Sequence, residues 1–215
     1  MKNHTAHSSF PGFLCSIEGI DGSGKSTFVQ NLAQKLEQHY QILCTREPGG
    51  SELGKYIRPI LQNKPCNMGS KAEFLLFAAD RAQHFQEKII PALKNGTIVI
   101  SDRMADSSLV YQGILRGLEM EMLKTINSWC MEYIEPDVTF YLKIDAATAV
   151  TRMQERNKEI TVLEKQVMEH KETLVSGFDY IFKNRDTVYI LDATKSPLEL
   201  AEEAYNIIVT LVSKK

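Results

Sequence analysis

Apolar runs are short throughout: none approaches the roughly 18 residues that a helix needs to cross a bilayer, which excludes a helical membrane span. Neither sign of charge dominates. Lys plus Arg number 25 and Asp plus Glu 27, so a formal net charge of -2 supplies no global basic field for nucleic acid or an anionic membrane. Any anion must therefore be bound locally. Cysteine is scarce and unpatterned: Cys15, Cys44, Cys66 and Cys130 lack C-x-x-C spacing, which argues against a metal site and for reduced thiols in a cytoplasmic protein. Cys15 and Cys44 sit inside apolar runs and read as core residues. Repeats, low-complexity tracts and long linkers are missing too, so no second domain is expected. The opening MKNHTAHSSFPG is polar and lacks the apolar stretch of a secretory signal, and reads as a loose tail over residues 1–12 before a single domain over 13–215.

What is present is an ordinary globular composition, 43% hydrophobic and 24% charged in 215 residues, long enough to bury about 70% of the extended chain's surface. Five β-rich runs, Phe13 to Ile17, Gln41 to Thr45, Thr97 to Ser101, Val138 to Ile144 and Val188 to Leu191, alternate with longer stretches of helical spacing. Those stretches are Gly24 to His39, Ser70 to Asn95, Asp106 to Tyr133, Ala146 to Asn184 and Pro197 to Ser213. Strands separated by helices predict an α/β fold with a parallel sheet. The two longest stretches must contain breaks, and Arg116-Gly117 marks one. Arg152 to Lys171, the most polar part, reads either as a solvated helix face or as a flap between two helical segments.

Gly19-Ile20-Asp21-Gly22-Ser23-Gly24-Lys25-Ser26 fits G-x-x-x-x-G-K-[ST], the phosphate-binding P-loop. It follows an apolar strand and opens a helix, the setting in which curled backbone N–H groups and a helix N-terminus cradle phosphates. Lys25 is then expected at the β- and γ-phosphates, and the Ser26 hydroxyl on Mg2+. A second metal contact belongs at the end of a neighbouring strand, where Thr97 to Ser101 leads into Asp102. No N-K-x-D guanine-reading sequence follows the loop, since Asn63-Lys64-Pro65-Cys66 and Asn157-Lys158-Glu159-Ile160 lack the final Asp, which argues against a small GTPase. Scattered arginines, among them Arg46, Arg81, Arg103, Arg152 and Arg156, suit a phosphotransferase with a second anionic substrate. A phosphate acceptor is already anionic, so alignment and charge screening matter more than a general base.

Several segments together resemble the thymidylate kinase family. They are Glu18-Gly19-Ile20-Asp21-Gly22-Ser23-Gly24-Lys25-Ser26-Thr27, Thr45-Arg46-Glu47-Pro48-Gly49-Gly50, Phe77-Ala78-Ala79-Asp80-Arg81-Ala82-Gln83-His84, and Asp102-Arg103 with Ser107-Ser108-Leu109-Val110-Tyr111-Gln112-Gly113. The resemblance implies a three-layer P-loop kinase fold, a five-stranded parallel sheet flanked by helices with a short helical lid at about residues 152–166. It implies transfer of the γ-phosphoryl group of Mg-ATP to dTMP, by a homodimer. ATP would be held by Gly19, Asp21, Gly22, Ser23, Gly24, Lys25, Ser26 and Thr27. On the acceptor side Phe77 would stack on thymine and Arg81 would contact the nucleotide. Asp21 would face the sugar with Arg103 close by, and Arg46 and Arg103 would contact the acceptor phosphate. Ser107, Ser108, Tyr111 and Gln112 would wall the base and sugar.

Two departures stand out. Met104 occupies the place after Asp-Arg where the family usually has an aromatic ring, and predicts altered packing without loss of chemistry. The lid stretch before Glu164 reads Thr161-Val162-Leu163, without the Asp-Arg that often supplies a transition-state arginine, so Arg156 is expected in that role beside the catalytic Lys25 and Arg103. The alternatives are a kinase for another nucleotide or nucleoside, and a nucleotide-binding regulator whose weakened lid has lost turnover.

Overall fold

A computed structural model describes residues 10–64, 66–155 and 161–215, without the side chains of 163, 166 and 167. Its centre is a parallel sheet of β1 (Phe13–Glu18), β2 (Ile42–Arg46), β3 (Ile98–Asp102), β4 (Val138–Lys143) and β5 (Val188–Asp192), in the order β2-β3-β1-β4-β5. β1 is buried along its whole length, as a strand covered by helices on both faces must be. Helices α1 (Lys25–Leu36) and α10 (Pro197–Val212) pack together on one side, and a core of Ile17, Phe28, Leu32, Phe140 and Ile208 joins them to the sheet. On the other face Phe85, Ile89 and Leu93 meet Leu14, Val99 and Met104.

The long helical stretches resolve as their sequences require. From Ser70 the chain stays helical to Lys94, as α3 (Ser70–His84), a π-helical segment (Phe85–Ile89) and α4 (Ile90–Lys94). The next unit is α5 (Ala105–Ser108), continued by a second π segment (Leu109–Leu115) and stopped at Arg116-Gly117, where Gly117 takes a φ of 72°. Helix α6 (Met120–Cys130) follows. Ala146 to Asn184 divides into α7 (Ala146–Glu155), α8 (Val162–Glu169) and α9 (Lys171–Phe182).

Two sequence expectations change. Between Thr45 and Ser70, where no element was expected, lies helix α2 (Glu52–Asn63), capped by Ser51, whose Oγ accepts from the Gly54 N–H at 3.0 Å. Its buried positions Gly54, Ile57 and Leu61 keep helical spacing, but Pro59 and the preceding Gly-Gly obscure it. Cys44, expected in the core, is exposed: it lies on edge strand β2, none of whose residues is fully buried. Among the described residues no helix is long and apolar enough to cross a membrane.

Candidate active site

The sheet register brings three chemically distinct strand ends to one edge. Ile17 and Arg46 both lie beside Asp102, so Glu18 and the phosphate loop, the Arg46 guanidinium and the Asp102 carboxylate meet where open α/β sheets bind ligands. A cavity of about 600 Å³ opens there, between α1, α2, α3, α5 and the start of α8.

The loop from Gly19 to Gly24 ends on α1, with Gly24 left-handed at its N-terminus. Gly22 has a φ of 88°, and a Cβ there would come within 2.2 Å of the Ala149 carbonyl on α7, so only glycine lets the loop lie against that helix. The Lys25 ammonium donates to the Gly19 and Ile20 carbonyls at 3.0 and 2.9 Å, folded back across the loop that anionic oxygens would enter. Burial, then the Arg103 charge, pushes Lys25 down to about 8, against the pull of Asp21, Asp102 and Glu18. Ser26 Oγ donates to Asp102 Oδ2 at 3.0 Å. This hydroxyl and carboxylate, both oxygen donors, suit a hard cation that keeps most of its ligands from phosphate and water. Among the described residues no cluster of three or more His, Cys, Asp or Glu could hold a metal alone.

The acceptor side is organised by two arginines. Arg103, at a φ of 73°, donates to Asp21 at 2.7 Å and Ser107 at 2.9 Å, and lies over the Tyr111 ring at 5.3 Å. Glu18, fully buried, holds this turn by accepting from the Met104 N–H at 2.8 Å and the Ser107 hydroxyl at 2.6 Å. Burial, then the Asp106 charge, pushes the Glu18 carboxyl up to about 7. Arg81 is only 1% exposed. It donates to Glu47 at 2.8 Å, Asn127 at 2.6 Å, the Met104 carbonyl at 3.1 Å and Ser108 at 3.3 Å. With Glu47 balancing its charge, Arg81 can offer the cavity a hydrogen bond more readily than a net positive charge. Phe77, one turn earlier on α3, lines the cavity beside it.

The strand, loop and helix pattern signalled a phosphate cradle, and the segment set signalled a base pocket. The family model for thymidylate kinase matches residues 17–204. The chain belongs to the thymidylate kinase family. Curated thymidylate kinases agree: that of Halothermothrix orenii is 39% identical over 198 residues, covering 91% of this chain and 95% of its own length. That of Thermosipho africanus is 41% identical over 182 residues, with 84% and 90% covered, and that of Staphylococcus haemolyticus is 36% identical over 198, with 92% and 97%. The protein is accordingly an ATP-dependent kinase that phosphorylates dTMP.

Of the expected thymidylate kinase site residues, Asp21, Gly22, Gly24, Lys25, Ser26, Thr27, Arg46, Phe77, Arg81, Asp102, Arg103, Ser107, Ser108, Tyr111 and Gln112 all line the one cavity. Gly19 and Ser23 are buried and do not line it, Ser23 being 1% exposed. Met104 fills its place as a buried core side chain. Arg152 lines the cavity while donating to the Ala193 carbonyl at 3.0 Å. Arg156 lies outside the described residues.

Arg58 on α2 was missed with its helix. Its guanidinium donates to the Pro48 carbonyl and lines the cavity. Burial, then the neighbouring Arg46 charge, holds it below its ordinary pKa. Glu47, from the segment over residues 45–50, and Thr161 and Glu164, from the expected lid stretch, also line the cavity, although no site role was assigned to them from the sequence.

Proposed function

We propose that this dTMP kinase divides its cavity into a donor half built on the phosphate loop and an acceptor half built on α2, α3 and the Asp102-Arg103 turn. The observation that carries this reading is the contact between Asp21 on the loop and Arg103 on the turn, which ties the two halves at 2.7 Å. Lys25 and the loop amides receive the ATP phosphates. Ser26 and Asp102 hold Mg2+, which supplies charge neutralisation on the transferring phosphoryl group. Arg46, Arg58 and Arg103 converge on the acceptor phosphate, where guanidinium forks match its oxygens. Phe77 stacks on the thymine ring, with Arg81, Ser108, Tyr111 and Gln112 around the base and Ser107 and Asp21 near the sugar.

Chemistry here is alignment. The acceptor oxygen is anionic, no proton has to be removed before attack, and positioned cations screen the repulsion between two polyanions. A lid over about residues 152–166 would exclude water, and Arg156 would bring a further positive charge to the transferring group. If so, Arg156→Ala lowers kcat on the order of 10³-fold; a value within about threefold of the parent removes Arg156 from that role and leaves Arg152 to be tested.

Composition and family also support a wider setting. A cytoplasmic location and no nucleic-acid partner fit the balanced charge and unpatterned cysteines, one domain over 13–215 fits the absence of linkers and repeats, and the family resemblance supports a homodimer. The test is ADP production from Mg-ATP with dTMP, dUMP, dCMP, thymidine and no acceptor in parallel. The fastest acceptor-dependent turnover is expected with dTMP. Turnover on thymidine instead would overturn the acceptor-phosphate assignment of Arg46, Arg58 and Arg103.

A further inference from the structure

Gln112 lines the cavity, yet one end of its side chain is committed elsewhere. Its Nε2 donates at 3.0 Å to Oε1 of Glu73, which does not line the cavity and is 2% exposed in the first turn of α3. Glu73 is also ion-paired with Lys64, at the left-handed C-terminus of α2, and with Arg116 at 3.6 Å. Burial alone would raise its pKa, but the hydrogen bonds from Lys64 and Gln112 and the two cationic charges hold the carboxyl below the usual range. Ionised, it can only accept. The amide edge facing it must then be the NH2 group, and among the described residues no donor engages Gln112 Oε1.

We propose that Glu73 sets which pyrimidine the site accepts, by fixing the Gln112 amide so that its oxygen is the atom presented to the cavity. The inference rests on the placement of Gln112 beside the base. Along its pairing edge thymine carries one donor, N3–H, between two acceptor carbonyls. A fixed acceptor oxygen pairs with that donor. Cytosine at neutral pH places a lone pair at N3, so the same oxygen meets an acceptor and both stay unpaired. Uracil keeps N3–H, so Glu73 separates thymine and uracil nucleotides from cytosine nucleotides and does not read the 5-methyl group. An unanchored Gln112 could turn over and offer NH2 to cytosine.

In Glu73→Gln the carboxylate is replaced by a group that can also donate, and the constraint is lost. The ratio of kcat/KM for dTMP to that for dCMP is expected to fall at least tenfold, with the dTMP to dUMP ratio unchanged and the Kd ratio following. A merely structural role would lower all three acceptors together, and an unchanged dTMP to dCMP ratio overturns the proposal. Combining Glu73→Gln with Gln112→Glu exchanges amide and carboxylate across the contact and keeps an acceptor facing the cavity. Preference for dTMP over dCMP should return, and failure to return counts against the proposal. If Glu73→Gln does not fold, the unmodified protein decides. The Gln112 side-chain amide protons should be protected from solvent exchange with and without dTMP, and exchange as fast as at exposed Gln38 overturns the anchor. Gln112→Ala keeps the two readings apart: no change in KM for dTMP removes Gln112 from the base, whereas a raised KM beside an unchanged Glu73→Gln ratio removes only Glu73.

Discussion

Lys25 is held in the free enzyme by two carbonyls of its own loop, and these must be exchanged for phosphate oxygens when ATP binds. Only the protonated amine makes that exchange favourable. With Lys25 pushed down to about 8, kcat/KM for ATP should decline as pH rises through that value, because the free enzyme must take up a proton to bind. A pH profile flat to 9.5 would show that Lys25 stays charged. Lys25→Ala should lower turnover at least a hundredfold while circular dichroism stays that of the parent. Arg58→Ala should raise KM for dTMP about tenfold or more with little effect on KM for ATP; the reverse pattern would move Arg58 to the donor side. At this scale the sequence was most informative where a residue belongs to a contiguous motif. Lys25, Ser26 and Arg103 could be named from spacing and resemblance together, and the cavity collects them. Arg58 could not, because what brings it to the cavity is helix α2, which the sequence did not announce.

Helix α2 shows why an element can be overlooked while its residues matter. Pro59 removes an N–H from its interior and Gly49-Gly50 precede it, so local propensity reads as a loop. Tertiary contact with α3 restores it, and Gly54 lies so close that a Cβ would stand 2.1 Å from Asp80 Oδ1. Gly54→Ala should therefore loosen α2, lowering the urea midpoint and raising KM for dTMP in the same protein, since Arg58 rides on that helix. Ser51→Ala should cost about 1 kcal/mol by removing the cap, read as a shift in midpoint. By contrast the five strands were legible to within a residue or two at either end, because apolar runs bounded by turn residues leave little choice. The division of Ala146 to Asn184 was foreseen within the polar stretch Arg152 to Lys171, but the separate helix α8 (Val162–Glu169) inside it was not, since its polar sequence carries few apolar landmarks.

Buried carboxyls give the molecule as a whole a characteristic response to pH. Glu18 is pushed up to about 7 and Asp80, by burial and the Glu47 charge, to about 6. Both folded values lie above the unfolded ones, so the folded state holds extra protons between them, and this stability is present in acid and lost as pH rises through 6 and 7. Glu18 alone accounts for a loss on the order of 3 kcal/mol. Urea midpoints compared between pH 5 and 8 should fall less steeply for Glu18→Gln than for the parent; equal slopes would mean that Glu18 does not titrate in this range. The α/β class and parallel sheet were readable from the alternation of strands and helices, but the order β2-β3-β1-β4-β5 was not, because pairing between strands far apart in sequence leaves no local trace. That order carries a consequence for how the protein comes into being. The phosphate loop hangs from β1, which precedes both of its neighbours in the chain: β1 pairs Phe13 with Ile98 and Cys15 with Val138. A growing chain therefore carries its complete ATP-binding motif long before either neighbouring strand exists to support it, and nucleotide can assist folding only once β3 and β4 have both been made.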